Sequence, residues 1–183
     1  MAPLQAICVF CGASNAAPEA HLEAGRVFGR MLAERGIRLV YGGGDCGVMG
    51  ALANAVLKEG GQVTGVFPRS LKNLESEHAG LSEIIMVESM HERKRIMFER
   101  SEAIVILPGG FGTMDEMFEI ITWKQLRFHH KPIVIFNHRG YWDPLVALME
   151  SIIRNGFARE ETRGLYSVVD TLDDIFRDVS LAA

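Results

Sequence analysis

The chain has 183 residues, enough for one domain with a real core and cramped for two. Hydrophobic residues make up 48% and charged residues 23%, a balance that excludes an intrinsically disordered chain. A net charge of −4 gives no basic field for nucleic acid or a membrane surface, so only a compact local phosphate site remains open.

The start, Met1 to Gln5, lacks the basic flank and apolar stretch of a signal peptide, and no window reaches the roughly 18 apolar residues of a spanning helix. A soluble cytoplasmic protein is expected. The first apolar run, Ala6–Phe10, predicts a strand, followed by the glycine-bearing loop Cys11-Gly12-Ala13-Ser14. Cys8 and Cys11 have redox-motif spacing, but an extended strand holds them about 10 Å apart, beyond the roughly 7 Å that a disulfide spans. They read as small buried hydrophobes.

A helix over 19–35 comes next, opened by Pro18-Glu19 and closed by Gly36. Arg38–Tyr41 is the second strand. Behind it, Gly42 to Gly47 fits G-x-G-x-x-G ahead of a helix over 47–60. Backbone N–H groups at such a place can cradle a phosphate, and a tight structural turn is the other reading. The third strand, Gln62–Phe67, ends in Phe67-Pro68-Arg69 without the acid of a dinucleotide site, and Val48 stands where a Walker lysine would. An anion site without a dinucleotide fits better. The link from Pro68 to Ser82 is polar and irregular, suited to a mobile flap over a site.

After the strand Ile84–Val87, Ser89 and Glu92 form a capping box that opens a helix over 89–101. Arg93 and Lys94 lie one turn from Met90 and Met97, so basic groups occupy a semi-apolar face beside a strand end. They suit an anionic ligand, or else a snorkelling or carboxylate-paired cation. Arg95 reads as solvated. Because position 95 is arginine, His91-Glu92 fails the zinc motif H-E-x-x-H, and no other histidine spacing suits a metal.

Ala103–Leu107 is apolar throughout, as a strand covered on both faces should be. Pro108-Gly109-Gly110-Phe111-Gly112-Thr113 leads from it into a helix over 113–127 and offers a second set of backbone donors. Thr113 and Glu116 fit S/T-x-x-E, so Glu116 is either the partner in a capping box or a carboxylate aimed into a cleft. Asp115, Glu116 and Glu119 all suit the positive end of the helix dipole. His129-His130 reads as an exposed turn. The strand Pro132–Phe136, a helix over 142–155, the strand Tyr166–Val169 and a helix over 171–179 complete the chain.

Strands alternating with helices predict an α/β fold. It is a doubly wound, mainly parallel, Rossmann-like sheet of about seven strands, in a single domain over 1–183. Ligands then belong at the carboxyl ends of the strands, where the three glycine loops stand.

In this order, Gly42-Gly43-Gly44-x-x-Gly47-x-Met49-Gly50, Met90-His91-Glu92-Arg93-Lys94 and Pro108-Gly109-Gly110-x-Gly112-Thr113-x-x-Glu116 resemble the LOG (LONELY GUY) family. Its members are cytokinin riboside 5′-monophosphate phosphoribohydrolases, long mislabelled as lysine decarboxylases. The likeness runs from Val9-Phe10-Cys11-Gly12 to about Tyr141. It implies a nucleotide-binding Rossmann-like fold and a homodimer. It also implies hydrolysis of a nucleoside 5′-monophosphate to free base and ribose 5-phosphate, with no metal or redox cofactor. By motif, Arg93 and Glu116 match the family's catalytic pair. Glu75, Lys94, Gly109, Gly110, Phe111, Gly112, Thr113, Met114, Asp115 and Thr122 match substrate-binding positions, with Gly43 and Gly44 of the first loop beside them.

The residue types agree with that chemistry. Departure of a base from ribose builds positive charge at C1′, which a carboxylate can stabilise while it orients water. Pyridoxal phosphate chemistry would need a Schiff-base lysine, and none of Lys58, Lys72, Lys94, Lys124 and Lys131 has a recognisable cofactor setting. The rival reading is a non-catalytic nucleotide- or cofactor-binding carrier that uses the same crevice. The presence of both Arg93 and Glu116 favours the enzyme.

Overall fold

Near-continuous apolar runs make the strands, and their side chains divide between two cores. A computed structural model describes residues 4–72 and 76–181. The strands are β1 (Ala6–Phe10), β2 (Arg38–Tyr41), β3 (Val63–Pro68), β4 (Glu83–Val87), β5 (Ala103–Ile106), β6 (Ile133–Phe136) and β7 (Ser167–Val169). The helices are α1 (Glu19–Glu34), α2 (Gly47–Lys58), α3 (Met90–Glu99), α4 (Phe111–Gln125), α5 (Asp143–Arg154) and α6 (Leu172–Leu181). Alternate residues of β1 face opposite ways, as a period of two demands. Ile7 and Val9 pack with Phe28, Leu32, Leu52 and Ile175 of α1, α2 and α6. Cys8 and Phe10 pack with Met97, Met117, Ile120 and Leu145 of α3, α4 and α5. Both faces are therefore covered, and the strands need no polar alternation.

The sheet order is β4-β3-β2-β1-β5-β6-β7 and every pairing is parallel. Ile7 stands beside Leu39 on one side and Ala103 on the other. Successive crossovers run outward from β1 to β4, then return past β1 to β5. That reversal opens a crevice at the carboxyl ends of β1 and β5. The predicted doubly wound sheet of seven strands is the observed one.

Three local expectations need correction. The helix expected over 113–127 begins at Phe111, with Gly110 as its N-cap and no side-chain cap. Thr113 is thus the third helical residue, and the Thr113–Glu116 capping box does not open this helix. His129 is buried rather than in an exposed turn. Its Nε2 lies 2.9 Å from Ile120 O and its Nδ1 accepts the Lys131 N–H, so the backbone satisfies both ring nitrogens. The Pro68–Ser82 link is not a free flap from Ser76 onward. Glu77 bridges Gly44, the Asp45 N–H donates to Ser76 O, and the His78 N–H donates to Gly43 O. Among the described residues, no helix is long and apolar enough to cross a membrane.

Candidate active site

The ends of β1 and β2, one face of α3 and the first turns of α4 meet around a cleft of about 260 Å³. A formed cap fixes the start of α3. Ser89 Oγ accepts the Glu92 N–H at 3.1 Å, and the Glu92 carboxylate reaches back to the Glu88 N–H at 2.9 Å. One residue further on, Arg93 is 7% exposed. Its Nε donates to Val66 O at 3.1 Å and its Nη2 to Gly42 O at 2.9 Å. Nη1 is left facing Glu116, 3.6 Å from Oε1. A buried cation needs such partners in place of water. A Cβ at position 42 would overlap the guanidinium, so a side chain there would push Arg93 out of this arrangement.

Lys94 points elsewhere. Its ammonium lies 3.0 Å from Asp115 Oδ2 and 2.7 Å from Glu119 Oε2, tying α3 to α4. Burial alone would lower its pKa, but the Glu119 and Asp115 carboxylates outweigh that and hold it above the usual lysine range. Lys94 does not line the cleft.

The start of α4 supplies the opposite wall. Its first helical hydrogen bond is Met114 N–H to Gly110 O at 3.1 Å. The N–H groups of Phe111, Gly112 and Thr113 therefore precede the intrahelical ladder, and no side chain caps them. Such donors at the positive end of a helix dipole form an anion site. Glu116 lies one turn further in and is 8% exposed. Gly109 is packed so closely that a Cβ would overlap Thr113 Oγ1 and crowd the Gly12 nitrogen.

The first glycine loop is built differently. Its Asp45 and Gly47 N–H groups are taken by Ser76 O and Asn15 Oδ1. Gly42 and Met49 line the cleft, but Gly43 backs onto Phe67 and Gly44 is bridged to Glu77. Of the other expected site residues, Gly110, Gly112 and Thr113 line the cleft with Arg93 and Glu116. Phe111 is 89% exposed and Met114 packs into the core. Thr122 is exposed, with its hydroxyl returned to Phe118 O. Glu75 lies outside the described residues.

Cys11 also lines the cleft. Burial pushes its thiol pKa far up, and the Glu116 carboxylate adds to the effect, which disfavours the reactive thiolate. A larger groove of about 410 Å³ between α1 and α2 contains neither Arg93 nor Glu116. Its Arg26 and Arg30 are paired with Glu19 and Glu23. Among the described residues, no three His, Cys, Asp or Glu side chains gather as a metal-ligating group. Two features carry no signal in the motifs: the wall formed by Met97, and a bond from Tyr141 Oη to Gly109 O at 2.6 Å.

Comparison with known proteins identifies the family of the chain. A family described as "Possible lysine decarboxylase" matches residues 49–179. A rice (Oryza sativa subsp. japonica) protein named "Probable cytokinin riboside 5'-monophosphate phosphoribohydrolase LOGL1" is 44% identical over 172 residues, covering 93% of this chain and 77% of that one. The "Cytokinin riboside 5'-monophosphate phosphoribohydrolase" of Rhodococcoides fascians is 42% identical over 160 residues, 87% of this chain and 81% of its own. Among solved structures, the molybdenum cofactor binding protein from Rippkaea orientalis superposes with a TM-score of 0.73 at 17% identity, covering 98% of this chain and 97% of that one, a likeness of fold. With relatives this similar over most of its length, the chain belongs to the LOG family of phosphoribohydrolases.

Proposed function

We propose that the cleft hydrolyses the N-glycosidic bond of a nucleoside 5′-monophosphate, a cytokinin riboside 5′-monophosphate or AMP, to free base and ribose 5-phosphate. One observation carries the reading. Three uncapped backbone N–H groups open α4, and one turn further in its Glu116 forms a buried pair with Arg93 of α3. A helical turn rises about 5.4 Å, the scale of a ribose ring with its 5′-methylene. A phosphate on Phe111, Gly112 and Thr113 therefore brings C1′ toward Glu116.

Water adds to C1′ as the C1′–N bond breaks, and the bonding electrons leave with the base. Positive charge grows on C1′ and the ring oxygen, and Glu116 stabilises it while taking up the proton of the water. The departing base takes a proton from solvent and Glu116 gives its own back to solvent, so the carboxylate is restored. Arg93, with Nε and Nη2 committed to carbonyl oxygens, holds Glu116 in place. In this reading Lys94 acts through α4, neutralising Asp115 and Glu119 so that a phosphate dianion can approach the helix.

The phosphate should dominate recognition. Hydrogen bonds to a charged group contribute about 1.5–3 kcal/mol each, so two productive ones give roughly 100-fold or more at 1.4 kcal/mol per tenfold. AMP is thus expected to surpass adenosine by at least that factor in kcat/KM, measured as free adenine released. Equal values for the two would overturn the anchor.

The reading also includes a homodimer in the cytoplasm. Three free cysteines suit a reducing compartment. On α4, Met117, Ile120 and Ile121 are buried within the fold, so the apolar surface for a second copy is exposed Leu126 and Phe128 just beyond it. Sedimentation equilibrium at micromolar concentration is expected to give twice the 20.3 kDa chain mass. A species of single mass would rule the dimer out.

A further inference from the structure

We infer that Tyr141 is a positioning residue for the anion site: its hydroxyl fixes the Gly109–Gly110 peptide so that the Gly110 N–H faces the cleft. The inference rests on the proposed phosphate anchor at the start of α4, to whose Phe111, Gly112 and Thr113 donors it adds the N–H of the N-cap residue Gly110. In a trans peptide the carbonyl and the following N–H point opposite ways, and no described peptide is cis. Gly109 O accepts from Tyr141 Oη at 2.6 Å. Tyr141 lines an adjoining pocket of about 230 Å³, and Gly12, Ser14 and Gly110 line both that pocket and the cleft. The carbonyl therefore turns to Tyr141 and the Gly110 N–H away from it, and in this inference that opposite side is the cleft.

The restraint matters because glycines flank this peptide on both sides. Without Cβ atoms, rotation about it meets little steric resistance, and a flip would present a carbonyl oxygen to the phosphate. Neighbouring carbonyls are held by backbone donors, Pro108 O by the Gly12 N–H and Gly110 O by the Met114 N–H. Gly109 O is held by a side chain.

Tyr141 is 42% exposed, and the turn before it and its ring contacts set its position. It follows a turn in which Arg139 and Gly140 have φ of 57° and 71°. The turn is closed by Asn137 Nδ2 to Asp143 Oδ1 at 2.8 Å and by the Trp142 N–H to Asn137 Oδ1 at 2.8 Å. The Tyr141 ring meets His21 and Trp142 edge-on at 5.2 and 4.8 Å. His21 is in turn bonded to His138, Nδ1 to Nδ1, at 3.2 Å.

Tyr141→Phe removes the hydroxyl and keeps the ring packing. Titration with ribose 5-phosphate is expected to show binding about 10-fold weaker than wild type. KM for AMP should rise by a similar factor with kcat changed less than about 2-fold. Adenosine, which lacks the phosphate, should be handled equally by both proteins. Ribose 5-phosphate affinity equal to wild type would overturn the inference, as would a loss shared equally by adenosine. A wild-type protein whose ribose 5-phosphate binding weakens in Tyr141→Phe, yet which never cleaves AMP, would overturn the hydrolase reading and leave the positioning role intact. No ribose 5-phosphate binding by wild type would overturn both.

Discussion

Glu116→Gln is expected to lower kcat for AMP roughly 100-fold or more, the scale of a lost general base and charge stabiliser. Its melting temperature should fall by no more than about 4 °C. The two effects separate because the structure removes the capping role. Glu116 sits in the second turn of α4, whose N-cap is Gly110, so no cap bond is lost. The amide keeps the size of the side chain and one acceptor toward Arg93. Arg93 retains its bonds to Val66 O and Gly42 O, which limits the cost of weakening the pair. Melting and steady-state AMP hydrolysis on one preparation decide the matter, and turnover near wild type would end the catalytic assignment.

Arg93→Met is expected to fail in the other direction, in stability as well as activity. It strands the Val66 and Gly42 carbonyls and leaves the Glu116 carboxylate facing an apolar side chain. Removing one partner of a buried ion pair costs about 3–5 kcal/mol, on the order of 10 °C for a chain of this size. Arg93→Lys keeps the charge but replaces a rigid fork with a single ammonium that cannot reach three acceptors in that geometry. Its stability should fall between those of Met and wild type. Denaturant unfolding that shows less than about 1 kcal/mol lost in Arg93→Met would mean that the guanidinium is not the clamp described.

The fold was legible because parallel strands buried on both faces are written as unbroken apolar runs. Ala103-Ile104-Val105-Ile106 cannot face water on either side, and it does not. Proline and glycine mark the two ends of α1 for an equally direct reason. The start of α4 was misread because a glycine N-cap leaves no side-chain signature, whereas Thr113 and Glu116 imitate one three residues later. His129 was misread because its partners, Ile120 O and the Lys131 N–H, are backbone atoms that a pattern of residue types does not show.

The candidate site was partly legible in the same sense. Motif spacing gathers Arg93, Glu116 and the Gly110–Thr113 turn, and these do share one cleft. The contrast between the two glycine loops was not visible in spacing. Both read as nests of donors, but Asn15 and Ser76 occupy amides of the first, while the amides that open α4 have no cap. The part of Tyr141 is not legible in the sequence, because it is one hydroxyl on one carbonyl far along the chain.

The place of β1 between β2 and β5 has a consequence for the order of folding. The register that sets Ile7 beside Ala103 joins segments separated by more than half the chain, and closing so long a loop is slow compared with forming local turns. The β1–β2–β3–β4 half can assemble first from neighbouring crossovers. The wall that carries Glu116 exists only after β5 has threaded in beside β1 and α4 has docked. A chain still being synthesised, or cut before β5, can therefore bury much of one core while lacking any cleft, and competence for chemistry arrives with the last long-range pairing at β1.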